Sequence, residues 1–166
     1  NDAFNSCENL VEVTFPGTVE TMGGSMFSSC ENLSKLTIEE GVKTIGSNII
    51  SYCQSLTSVH IPASVESINP YAFDNAYALE YLTVAEGNSA FYSVNNCIIK
   101  KDEKKLVFGA KNSIIPNDGS VTTIGDSAFY GRHPIDAIVI PVAITTIEVY
   151  GLNFHDDNGI GTIYYE

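Results

Sequence analysis

Apolar residues return along this chain at a fixed interval of 23 residues. Leu10, Leu33, Leu56 and Leu79 form one series, Val13, Leu36, Val59 and Leu82 a second, and Phe15, Ile38, Ile61 and Val84 a third. Cys7, Cys30 and Cys53 form a fourth, which Ala76 continues. A period of this length is the mark of a solenoid, in which each repeat is one turn of a superhelix and buries its apolar face against its neighbours. Within a repeat, Leu-x-x-Val-x-Ile alternates as a short strand with one buried face. Pro16, Pro62 and Pro141 follow such strands and end them, because proline has no N–H to donate to a ladder. Next comes a Val-x-x-Ile pair, seen as Val19 and Met22, Val42 and Ile45, and Val65 and Ile68. Gly23, Gly46 and Asn69 follow, which suits a turn of positive φ. Phe4, Phe27, Ile50 and Phe73 then anchor a predicted short helical turn leading back to the Cys position. The pattern predicts a β-rich solenoid of about seven coils, its strands about 4.8 Å apart in a sheet roughly 30 Å long.

The register breaks once. From Val84 to Ile115 is 31 residues, one repeat plus eight. The excess falls around Cys97–Phe108, where two apolar runs flank a charged turn. This predicts a β-hairpin insertion over residues 88–111, projecting from the coil edge, within a single domain spanning 1–166. Val121, Ile124 and Phe129 restore the period, with a bulging loop at Asn117–Ser120. A sixth coil reads Ile135, Ile138, Ile140, Ile144, Ile147 and Leu152. Its Arg132 stands where Cys is expected, so that corner opens to solvent or faces a carboxylate. Ile160, Ile163 and Tyr165 fit a last coil if Asp156–Gly159 holds a two-residue insertion.

Hydrophobic residues make up 44% and charged residues 17%, which places the chain among globular proteins. Twenty acidic residues against eight basic ones give a net charge of -12. Such a surface repels phosphate backbones and anionic headgroups, so nucleic acid and bare membrane are poor partners. No apolar run approaches the roughly 20 residues of a membrane span. The chain lacks an initiator Met and a signal peptide, and reads as a piece of a longer protein. Cysteines at one position of successive coils point the same way, and a ladder of three cannot pair completely. A small apolar slot holding buried free thiols is the simpler expectation. Cys97 lies outside that ladder, with partial exposure expected.

The recurring Ala-Phe-x-x-Cys-x-x-Leu-x-x-Val-x-Ile-Pro-x-x-Val-x-x-Ile-Gly closely resembles the BspA-like, or Treponema pallidum-type, leucine-rich repeats. Ala3–Cys7 and Thr123–Phe129 carry the motif almost unaltered, and Asn88–Val94 through Val107–Phe108 looks like the family's hairpin insert. Glu39 and Ala85 depart from the usual Pro, and Arg132 and His155 from the usual Cys. The resemblance implies a surface or secreted protein of a host-associated bacterium or protozoan, and adhesion to host matrix or other cells.

Outward strand positions give one column of Thr14, Thr37, His60, Thr83, Ile114, Val139 and Tyr164. Beside it run Glu12, Lys35, Ser58, Tyr81, Ala137 and Thr162. Small hydroxyls with a few aromatics support adaptable contacts, although Thr also has good strand propensity on a merely solvated face. Lys100, Lys101, Lys104, Lys105 and Lys111 hold five of the eight basic residues, either steering an acidic partner to the hairpin or blunting its edge. His60, His133 and His155 are scattered and form no metal set. Asp156–Gly159 lacks the alternating ligands and distal Glu of a calcium loop. Asn32-Leu33-Ser34 fits a glycosylation acceptor, but Leu33 is a core position. No nucleophile elbow, phosphate-cradling loop, zinc spacing or paired carboxylates in a cleft points to an enzyme, and no cofactor is implied. The expected function is recognition or adhesion toward a host or microbial protein or glycan, through the sheet face or hairpin. The alternatives are a spacer displaying another domain and a module that self-associates end to end.

Overall fold

The computed structural model describes residues 1–131, 135–152 and 160–166. Arg132, His133, His155 and the Asp156–Gly159 run lie outside the described residues, as do the expectations attached to them. The described chain is a β-solenoid of about six turns without a helix.

The strands are β1 Glu12–Phe15, β2 Thr21–Met22, β3 Lys35–Ile38, β4 Thr44–Ile45, β5 Ser58–Ile61, β6 Ser67–Ile68, β7 Tyr81–Val84, β8 Phe91–Val94, β9 Cys97–Lys100, β10 Lys105–Gly109, β11 Thr123–Ile124, β12 Ile135–Ile140, β13 Thr146–Ile147 and β14 Ile160–Tyr165. The longer strands form one side of the solenoid, pairing in parallel as β1 with β3, β5 with β7 and β12 with β14. Each of the first two pairs is offset by 23 residues, as the period requires: Val13 faces Leu36, and Val59 faces Leu82. Two-residue strands form a second side, β2-β4-β6, in the same register.

The long strands do not make one continuous sheet. β3 and β5 are neighbours without joining in one ladder, and Ser113–Ile115 of the fifth coil forms no strand. The second interruption has a visible cause in the insertion. Ser93 Oγ accepts the Val84 N–H at 2.9 Å, and Asn95 O accepts the Ile114 N–H at 3.2 Å. The turn after β8 therefore sits between β7 and the fifth coil.

The return segments are successive turns, in place of the helical turn expected. Positive φ recurs at Asp2, Ser25 and Asn48, and again at Ser6, Ser29, Tyr52 and Asn75. Left-handed residues four positions apart, such as Ser25 and Ser29, interrupt the turn so that every second N–H points along the solenoid axis. Ser25, Phe27 and Ser29 donate to Ser47, Ile49 and Ser51 of the next coil at 2.8, 2.9 and 2.7 Å. A helix would have spent these donors within its own turn. Gly131 has φ 69° beside Asn75, whose φ is 57°, a conformation that costs glycine nothing. Gly23, Gly46 and Asn69, by contrast, do not have the positive φ expected of them. Gly46 serves close approach, since a Cβ there would lie 2.8 Å from Met22 O.

The insertion departs most from expectation. It is a meander of β8, β9 and β10, and β10 joins β11 and β13 in a five-stranded sheet. It does not project. Ile98, Ile99, Leu106 and Phe108 are buried, as is Cys97. Ile98 and Phe108 pack into the core of the first four coils, while Cys97, Ile99 and Leu106 pack into that of the later coils. A β-bulge between Leu106 and Phe108 lets β10 serve both. The insertion is thus a septum through the solenoid, buried on both faces.

All four cysteines are free. Cys30 and Cys53 donate their thiols to Phe4 O and Phe27 O, each at 3.1 Å. Burial pushes the Cys53 thiol up to about 12 and that of Cys97 to about 11.

Candidate functional site

Alternation places one residue in two of each long strand outward, and this sets the candidate face. Thr14 lies beside Thr37, His60 beside Thr83 and Val139 beside Tyr164. His60 Nδ1 and Thr83 Oγ1 are 2.9 Å apart, so the ring is held upright against its neighbour. Tyr81 stands beside Ser58 and is 52% exposed, and Tyr164 is 56% exposed. Lys35 and Glu12 form an exposed ion pair at 3.4 Å, which contributes little in water. Ile114, although outside any strand, is 67% exposed. The predicted column is thus solvent-facing, but it is brought together in three segments rather than one run.

The insertion also contributes to this face, at a place the 23-residue period does not show. Asn95 and Asn96 have φ 49° and 61°, the two left-handed residues of a tight hairpin turn. That turn delivers Asn95 to a groove of about 200 Å³ shared with Ile114, Asn117 and Val139. The Asn-Asn dipeptide was the available signal.

The lysines of the insertion form no free cationic patch. Glu103 lies between Lys100 and Lys105, pairing with Lys100 at close range and with Lys105 at 2.6 Å. Lys105 also reaches Glu148 at 2.9 Å. Hydrogen bonds from Lys100, then Lys105, hold the Glu103 carboxyl below its ordinary range, and Lys105 does the same to Glu148. Lys101 donates to Asn88 O. Lys104 is exposed at the turn with φ 47°. The charges anchor the septum.

Asn88 holds the base of the insertion and was not singled out in the sequence. It is 1% exposed. Its amide donates to Pro62 O and Val65 O at 3.0 and 2.9 Å and accepts from the Ala90 and Phe91 N–H groups at 2.9 and 2.8 Å. All four of its hydrogen-bonding sites are satisfied. Among the described residues, no group of three or more His, Cys, Asp or Glu could hold a metal ion. No helix there is long and apolar enough to cross a membrane.

A solenoid with a 23-residue period and an inward set of Leu, Val and Ile defines a leucine-rich repeat protein. The family model for the BspA type leucine rich repeat region matches in six copies over residues 1–101 and 107–157, and the chain belongs to that family. A leucine rich cell surface protein of Faecalibacterium prausnitzii superposes with a TM-score of 0.72 at 26% identity, over 89% of this chain and 40% of its own. Pneumococcal vaccine antigen PcpA superposes at 0.66 and 22% identity, over 85% of this chain and 36% of its own. A leucine-rich repeat protein of Eubacterium ventriosum gives 0.56 and 24%, over 89% and 52%. The chain thus spans well under two thirds of each of these proteins. No curated protein matches it in sequence. Leucine-rich repeats form a recognition fold, in which stacked coils present an extended surface to partners.

Proposed function

We propose that the chain is an extracellular recognition or adhesion module that binds a host or microbial protein, or a glycan, through its long-strand face. The observation carrying this reading is the exposed column of Thr14, Thr37, His60, Thr83, Val139 and Tyr164, with Tyr81 beside it. Buried side chains fix its spacing, while its outward residues differ from coil to coil. Hydroxyls and tyrosines give hydrogen bonds and rigid contact area at low entropic cost. The groove at Asn95, Ile114 and Val139 adds an apolar pocket on the same side. Membership of the BspA-type family and likeness to a bacterial cell surface protein support an extracellular setting. A net charge of -12 favours neutral or basic partners over nucleic acid. The test is an array of matrix proteins and glycans probed with the labelled chain. Saturable binding to at least one class supports the reading, and silence across the array contradicts it.

A further inference from the structure

The insertion opens a second site away from the long-strand face. In the short-strand ladder, two successive N–H groups of one coil converge on a single carbonyl of the coil before. Lys43 and Thr44 donate to Glu20 O at 2.8 and 3.0 Å, and Glu66 and Ser67 donate to Lys43 O at 2.9 and 3.1 Å. The next coil should offer Ser89 and Ala90 to Glu66 O. Instead Asn88 Oδ1 takes the Ala90 and Phe91 N–H groups, and Ala90 O accepts from Lys101 N. The ladder stops at β6, which pairs only with β4.

Along the other edge of β6, Glu66 O, Ile68 N–H and Ile68 O have no hydrogen-bond partner among the described residues. That edge lines a cleft of about 220 Å³ walled by Ile68, Pro70, Phe91 and Val107. A second hollow continues past Glu66 to Ala90 and Lys101, so the space runs along the strand. The charges in the cleft divide unevenly. Lys100 and Lys105 are taken by Glu103 and Glu148. Glu66 and Asp126 form no ion pair among the described residues, and Asp126 accepts only neutral hydroxyls, from Tyr71 at 3.0 Å and Ser127 at 3.3 Å.

We propose that this cleft takes an extended peptide carrying a basic side chain, added as a further strand to the open edge of β6. A peptide backbone alone supplies the alternating donors and acceptor that Glu66 O, Ile68 O and Ile68 N–H require. An apolar neighbour on the peptide meets Ile68, Pro70 and Val107, and an arginine or lysine meets Glu66 and Asp126. An acidic residue there would face two unpaired carboxylates.

The experiment is fluorescence polarisation of the whole chain with labelled acetyl-Gly-Val-Arg-Val-Gly-amide, its Arg-to-Glu version, and a version N-methylated at both valines. The protein is used as wild type, as Glu66→Gln with Asp126→Asn, and as Glu8→Gln with Glu31→Gln, which removes the same charge elsewhere. The parent peptide is expected to saturate below about 1 mM. Either peptide change and the Glu66/Asp126 pair should each weaken binding about tenfold or more, and the Glu8/Glu31 pair less than about twofold. Binding that survives N-methylation, tolerates the acidic peptide or falls equally with both protein variants overturns the proposal. So does no saturation by about 1 mM. None of these outcomes bears on the long-strand face.

Discussion

Leu56 shows what one inward residue does in this fold. It is 1% exposed in the core of the first coils, enclosed by coils on both sides. Leu56→Ala removes apolar contact and leaves a cavity that stacked backbones cannot collapse around. Its expected cost is about 2–5 kcal/mol, read as a lower thermal midpoint. The thiols give a pH dependence whose sign is fixed. Cys53 and Cys97 titrate near 12 and 11 when folded, against 9.0 for an exposed thiol. Above about pH 9 the unfolded chain therefore binds fewer protons than the folded one, and stability falls as pH rises. The loss from Cys97 should be complete near pH 11 and that from Cys53 near pH 12. Replacing both residues with Ala should flatten this alkaline decline in urea titrations, and an unchanged slope would contradict it. Below pH 9 both thiols should resist alkylation until the chain is unfolded.

At the scale of elements, the insertion matters most. An edge hairpin would be dispensable, whereas a septum shared by two cores is not. Asn88 fixes where it begins, so Asn88→Ala strands two carbonyls and two N–H groups in a buried place. A loss of about 2–4 kcal/mol is expected in chemical denaturation, and a loss under about 0.5 kcal/mol would contradict the septum. The strands β1, β3, β5 and β7 were legible because Leu-x-x-Val-x-Ile states both the buried face and the register. The insertion was legible in position, through the eight extra residues, but not in orientation. Cys97-Ile98-Ile99 and Leu106-Val107-Phe108 are unbroken apolar runs, the pattern of strands buried on both faces. Their meaning depends on a neighbour on each side, one from the early coils and one from the later coils, which the local sequence around Lys101–Lys104 does not state. The hydrogen bonds of Asn88 to Pro62 and Val65 were not legible, because that segment meets Asn88 only in the folded coil, whereas those from Ala90 and Phe91 are local.

As a whole molecule, the solenoid separates stability from recognition. The 23-residue period governs inward residues, while His60, Tyr81 and Tyr164 contribute little to the core and are free to serve a partner. The insertion then divides the stack, sends Asn95 to the long-strand face and leaves β6 open on the other. The paired lysines of the insertion show why a charge cluster in sequence does not establish a binding patch: Glu103 neutralises Lys100 and Lys105 within the same turn, and Lys105 also reaches Glu148, two coils further on. The central claim is that the long-strand face binds. It is tested most directly by measuring affinity for an array-identified partner with wild type and with His60→Ala, Tyr81→Ala and Tyr164→Ala combined. Affinity is expected to fall about tenfold or more while the melting temperature holds, because exposed aromatics dominate such contacts. Unchanged affinity in the folded triple variant would contradict the account.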